Sequence, residues 1–182
     1  MIVDLYLTGK QQKNYTMSEI AALLLYAGIV GDTGRFRYPS TTEKTHLAVA
    51  ELLQMKIDQN QFYSQLYKKD LKMTRLEGYV LQHFKVHDEG LAVMTLTKEV
   101  LEQFGVSTNE SSQVINAFSD VEGLKAWVFF VEGDEGEDIR VRLRSKGPHI
   151  NGIAQQHRGG GHPLASGAKA ASWEETEEII TK

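Results

Sequence analysis

The chain predicts an α/β protein, with helices filling roughly its first half and a mixed sheet with accompanying helices filling its second. Three observations lead there. Capping patterns followed by apolar residues at helical spacing recur up to Phe84. Beyond that point the runs LAVMTLT, from Leu91 to Thr97, and LKAWVFFV, from Leu124 to Val131, have the length and composition of strands. Ile139, Val141 and Leu143 then alternate with Arg140, Arg142 and Arg144, the period of a half-buried strand with an arginine-bearing face.

The first helical half can be taken element by element. Ile2 to Leu7 is apolar with no cap before it, as though its element begins elsewhere, so a truncated chain is expected. Thr16-Met17-Ser18-Glu19 has the form of a capping box, and Ile20, Leu23, Leu24 and Ala27 follow at helical spacing, which predicts a helix to about Tyr26. A loop is expected from Gly28 to Tyr38, presenting Asp32 between two glycines. Its carboxylate either serves a ligand or caps its own backbone in a Gly-Asp turn. Ser40-Thr41-Thr42-Glu43 opens a helix with Leu47, Ala50 and Leu53 inward and Val49 as a further candidate for that side, and Asp58 to Lys68 forms another with Phe62, Tyr63 and Leu66 inward. Leu71 to Phe84 reads as a further helix interrupted by Gly78.

In the second half, the Leu91 strand leads to a helix from Lys98 to Phe104, ended by Gly105. A helix from Ser111 to Phe118 is expected behind an Asn109 cap, followed by the buried strand ending at Val131. Gly133 to Glu137 has the composition of a hairpin turn feeding the arginine strand. A short helix from Ile150 to Gln156 follows, and Ser172-Trp173-Glu174-Glu175 caps a terminal helix.

Composition narrows the function. The 182 residues include no cysteine, which excludes disulfides, thiol nucleophiles and thiolate zinc sites, so any metal must take oxygen or nitrogen ligands. A net charge of -4 argues against coating long nucleic acid and leaves a small phosphorylated ligand open. No apolar run is long enough to span a bilayer and no signal-type segment starts the chain, so a cytoplasmic protein is expected. His149, His157 and His162 match no zinc spacing, and neither a Walker loop nor a Gly-x-Ser-x-Gly elbow is present.

The chemistry concentrates between Arg140 and Lys169. Arg144-Ser145-Lys146 precedes, by one short helix, the run His157-Arg158-Gly159-Gly160-Gly161-His162. Three glycines remove every side chain between two basic groups and let bare N–H groups close on an anion; arginine supplies a fork matched to phosphate. The same triplet also serves in other proteins as a plain hinge or turn.

GDTGRFRY (31–38), RLRSKG (142–147) and HRGGGHPLASGAKA (157–170) together resemble the DHH phosphoesterases of the nanoRNase and pAp phosphatase type. The resemblance implies the tail of a catalytic DHH domain over 1–40, a helical linker over 41–69, and a DHH-associated substrate-binding domain over 70–182. It implies an exonuclease-like, manganese-dependent hydrolase of short oligoribonucleotides or of 3′-phosphoadenosine 5′-phosphate. Asp32 would be a catalytic Mn²⁺ ligand. Gly160, Gly161 and His162 would face the reacting phosphate, with Gly159 in the same loop. Arg144, Ser145 and Arg158 would hold the nucleotide, and Asn116 would add a contact. The family's earlier motifs, a His/Asp cluster and the Asp-His-His triplet, do not occur in these residues, so the chain by itself is expected to be inactive. The other readings are a non-catalytic nucleotide-binding module, and a polyphosphatase or cyclic-dinucleotide phosphodiesterase. A homodimer is compatible with all of them.

Overall fold

The structure is a computed structural model that describes residues 2–13, 16–133 and 138–182. The chain divides into two compact units, Met1–Lys68 and Lys69–Lys182.

The first unit is helical: α1 (Ile2–Lys13), α2 (Glu19–Asp32), α3 (Glu43–Leu53) and α4 (Gln59–Leu66). Its core joins Val3 of α1, Ala22, Tyr26 and Val30 of α2, Val49 and Leu52 of α3, and Ile57. The segment read as a linker therefore shares a core with α2. Tyr26 is 2% exposed, meets the Phe62 ring edge-on, and places its hydroxyl 3.1 Å from both Gln59 Oε1 and the Tyr63 hydroxyl. Two expected boundaries move. The capping residues are Ser18, whose Oγ accepts from the Ala21 N–H, and Thr42, which pairs reciprocally with Thr45. In α3 the packing with α2 buries Val49, as the sequence allowed, and Leu52, whereas Leu47 is 60% exposed and Ala50 is also exposed. Helix α2 also continues six residues past its expected end, through Gly28 and Gly31. Burying Tyr26 and Val30 outweighs the cost of about 1 kcal/mol per helical glycine.

The second unit contains α5 (Leu71–His83), β1 (Lys85–His87), β2 (Leu91–Leu96), α6 (Lys98–Phe104), β3 (Ala126–Val131), β4 (Ile139–Ser145), α7 (Asn151–Gln156), β5 (Gly160–His162), β6 (Ala165–Ala170) and α8 (Trp173–Ile180). The strands form one mixed sheet in the order β1-β2-β3-β4-β6-β5, parallel only between β2 and β3. Helix α6 starts at Thr97, whose Oγ1 accepts from Val100, and ends at Gly105 in the left-handed conformation, φ +61°.

Each sheet face has its own core. Val93, Val128, Phe130, Val141, Leu143 and Ala168 pack with Ile150, Ala154 of α7 and Ile179 of α8. On the opposite face, Met94, Trp127, Phe129 and Val131 pack with Met73, Leu76 and Val80 of α5, Leu101 of α6 and Phe118. Residues 111–118 do not form the expected α-helix; only Glu110–Val114 is helical, as a 3₁₀ turn, and Asn109 gives no side-chain cap. The Ser111 and Ser112 hydroxyls bond back to the Thr108 and Asn109 carbonyls at 2.7 Å, a local alternative to α-helical bonding. The turn expected from Gly133 to Glu137 has residues 134–137 outside the described residues.

Candidate functional site

Strand register assembles the site. Arg140, Arg142 and Arg144 share one face of β4, and their burial alternates with that of Ile139, Val141, Leu143 and Ser145. Across β6 and on to β5, Arg144 stands in line with Ala165 and His162, and Arg142 with Gly167 and Gly160; Arg140 stands opposite Lys169. Directly paired residues in a sheet point to the same face. Arg144 and His162 therefore belong to one surface together with Gly160. Successive rungs are separated by two residues, about 6.6 Å.

The arginines carry concentrated positive charge. Arg142 is half-buried and donates to Ser111 Oγ at 2.8 Å and to the Thr108 carbonyl at 2.6 Å, both neutral acceptors. Burial, then the charges of Arg140 and Arg144, push its guanidinium below its ordinary pKa. Arg140 donates to Asn109 Oδ1, and Arg144 Nη1 donates to the Leu143 carbonyl at 2.8 Å. Arg142, partly desolvated between two like charges, raises the free energy of the unliganded face, which an anion bound there lowers.

The glycine triplet is not a loop. It opens β5, which returns into β6 through Pro163 and Leu164, and the two carbonyls of that turn are held by the Ile150 and Ser145 N–H groups at 2.8 and 3.0 Å. The Gly159 N–H is already donated to the Ala154 carbonyl at 3.0 Å. The three glycines do different things. A Cβ on Gly159 would lie 2.0 Å from the Gly167 carbonyl oxygen, and one on Gly161, at φ +136°, 2.7 Å from the Ala165 carbonyl oxygen, so both are required by close backbone approach. A Cβ on Gly160 would meet nothing within 4 Å.

The other predicted residues lie elsewhere. Ser145 is buried, at 8% exposure, and has the parity of the opposite sheet face; its hydroxyl donates to the Lys125 carbonyl and accepts from the Gly147 N–H. Its place is the end of β4, where its backbone N–H anchors the β5–β6 hairpin. Arg158 is held by two carboxylates, Asp138 and Glu175, each at 3.1 Å. Glu175 also takes the buried His157 Nδ1 at 2.8 Å and the Ala171 N–H at 2.7 Å; the Ala171 N–H, then His157, hold its carboxyl below the usual range. Asn116 is exposed in the turns after the 3₁₀ segment. Sequence reasoning missed Gly167 and Arg142 as partners of the triplet. The arginine alternation was a visible signal for Arg142, whereas nothing but strand pairing marks Gly167.

Asp32 belongs to the first unit and is exposed at the last position of α2, not in a loop. The turn after it is unusual, because Gly34, Arg35 and Phe36 all take positive φ, at 54°, 61° and 66°. Thr33 pins it, with Oγ1 donating to the Ile29 carbonyl at 2.6 Å and accepting from the Phe36 N–H at 3.0 Å. Among the described residues no group of three His, Asp or Glu side chains could hold a metal ion. The described donors do not form a two-metal centre, and Asp32 would supply one carboxylate to it. A cavity of about 550 Å³ between α2 and α4 is lined by Leu23, Ile57, Phe62 and Leu66 among others and includes none of the predicted site residues.

Comparison with known proteins places this geometry in a class. Residues 88–182 match the family described as DHHA1 domain. Relatives include the bifunctional oligoribonuclease and PAP phosphatase NrnA of Bacillus subtilis, 46% identical over 99% of this chain and 56% of that protein. The probable enzyme of the same name from Streptococcus mutans is 40% identical over 92% of this chain and 54% of its own length. Among solved structures, an exopolyphosphatase-related protein from Bacteroides fragilis superposes with a TM-score of 0.82 at 31% identity, over 90% of this chain and 49% of that one. The chain belongs to the DHH phosphoesterase family and carries its DHHA1 domain. It spans about half the length of the curated relatives it matches. No described helix is long and apolar enough to cross a membrane.

Proposed function

We propose that this chain is the nucleotide-holding part of a cytoplasmic, manganese-dependent phosphoesterase acting on short oligoribonucleotides and on 3′-phosphoadenosine 5′-phosphate. The observation that carries the reading is the shared sheet face of Arg142, Arg144, Gly160 and His162, which concentrates cations beside a strip without side chains. The relatives' names supply the substrate class. On this reading Arg144 and His162 grip a phosphate, Ser145 holds the hairpin that carries His162, and Asp32 contributes one carboxylate to a metal centre whose other ligands lie outside this chain.

Binding and chemistry then separate. The purified chain should bind adenosine 3′,5′-bisphosphate and a diribonucleotide in a titration and hydrolyse neither in the presence of Mn²⁺. A chain that binds neither ligand overturns the reading. Turnover that disappears in Asp32→Ala would instead place a complete catalytic centre within these residues.

A further inference from the structure

Gly160 and Gly167 face each other across β5 and β6, on the arginine face and in line with Arg142. The fold does not require either to be glycine. Neither has positive φ; a Cβ on Gly160 would meet nothing within 4 Å, and one on Gly167 would meet only the Val141 carbonyl oxygen at 3.7 Å. Glycine inside a strand costs stability and forgoes a packing side chain, so two in register with open space above them call for a reason outside the fold. Gly159 and Gly161 provide the contrast, since added side-chain atoms there would strike backbone.

We infer that the Gly160–Gly167 pair is a bare platform on which the nucleobase of the bound nucleotide lies. This rests on the reading that the Arg144–His162 rung takes the phosphate. The platform is the adjoining rung, about 6.6 Å along the strands, and its two backbone segments offer a flat surface about one strand spacing wide. Arg142 is the next residue of that rung on the β4 side. A flat, weakly polar ring laid there covers peptide groups without competing for the phosphate's partners. Gly167 thus sets specificity by what it lacks: any side chain on it occupies the space of the ring and leaves the phosphate rung clear.

The test uses the 182-residue chain and two probes, adenosine 3′,5′-bisphosphate and inorganic pyrophosphate, which has no base. Gly167→Val should weaken the nucleotide by roughly tenfold or more, the scale of losing one base-stacking contact. Pyrophosphate affinity and the melting temperature should stay close to wild type, and Gly160→Ala should act in the same direction but less strongly. Equal nucleotide affinity in Gly167→Val, or equal loss for both probes, overturns the platform. In the wild-type chain the Gly160 and Gly167 amide resonances should move with the nucleotide and much less with pyrophosphate, a readout that does not depend on a variant folding. If both probes bind and those amides stay still, the platform fails while the phosphate reading stands; if neither probe binds, both fail.

Discussion

One sheet face of the second unit is used in two ways. Over β2 and β3 it is closed: Met94, Leu96, Phe129 and Val131 are at most 2% exposed beneath α5, α6 and Phe118, and Phe118 stacks on both Phe84 and Phe129 at 4.3 and 5.4 Å. Over β4, β6 and β5 the same face carries arginines, a lysine, a histidine and the pair Gly160 and Gly167. The first half stabilises by removing apolar surface from water. The second forgoes that gain and gathers charge on strands braced by the first and by the core on the far side. A rigid scaffold beside an open, charged strip suits the phosphate binding proposed for this face.

The contrast can be broken from the closed side. Phe129→Ala, at a position with no exposed surface, should lower unfolding free energy by roughly 3 to 5 kcal/mol in a denaturant titration. A loss below about 1 kcal/mol would mean the aromatic stack does not support the sheet. From the open side, Arg144→Ala should weaken nucleotide binding by roughly 1 to 3 kcal/mol, with little change in stability. The slope of log affinity against log salt should fall by about 0.7 to 0.9 if one phosphate contact is lost. Unchanged affinity and slope would remove Arg144 from the site.

The smallest expected effect concerns the bracing of the closed half. Glu110 accepts from Lys72 Nζ on α5 at 2.7 Å and from the Ser107 N–H at 2.9 Å, and these contacts hold its carboxyl down to about 2. A depressed folded-state pKa means that the contribution is complete above the unfolded value of 4.5 and is lost as pH falls toward 2. Melting temperature should therefore drop between those values by more in the wild type than in Glu110→Gln. Because the Lys72–Glu110 pair remains open to solvent, with the Glu110 side chain 40% exposed, the difference should be small and should shrink further in high salt.

Much of the layout was legible because it rests on local signals. The helix from Lys98 to Phe104 with its terminal Gly105, the buried Ala126–Val131 strand and the arginine alternation all follow from side-chain period and capping chemistry. Two capping residues lay two positions beyond the predicted ones, because Thr16 and Ser18, and likewise Ser40 and Thr42, are equally good caps, and packing chose between them. Strands β5 and β6 were not predicted, since glycine, alanine and serine give no apolar alternation and β5 takes its strand form by pairing with β6.

The sequence by itself determined the family, the arginine face of β4 and the presence of a glycine–histidine segment suited to an anion, because each depends on residue types at short spacing. Tertiary structure alone decided which of those residues meet. Strand register put His162 and Gly160 in line with Arg144 and Arg142, placed Ser145 on the opposite face, and brought Asp138 and Glu175 onto Arg158. A shift of one residue in that pairing would exchange the two faces, and its energy comes from cores on both sides of the sheet, a long-range sum that no local window contains.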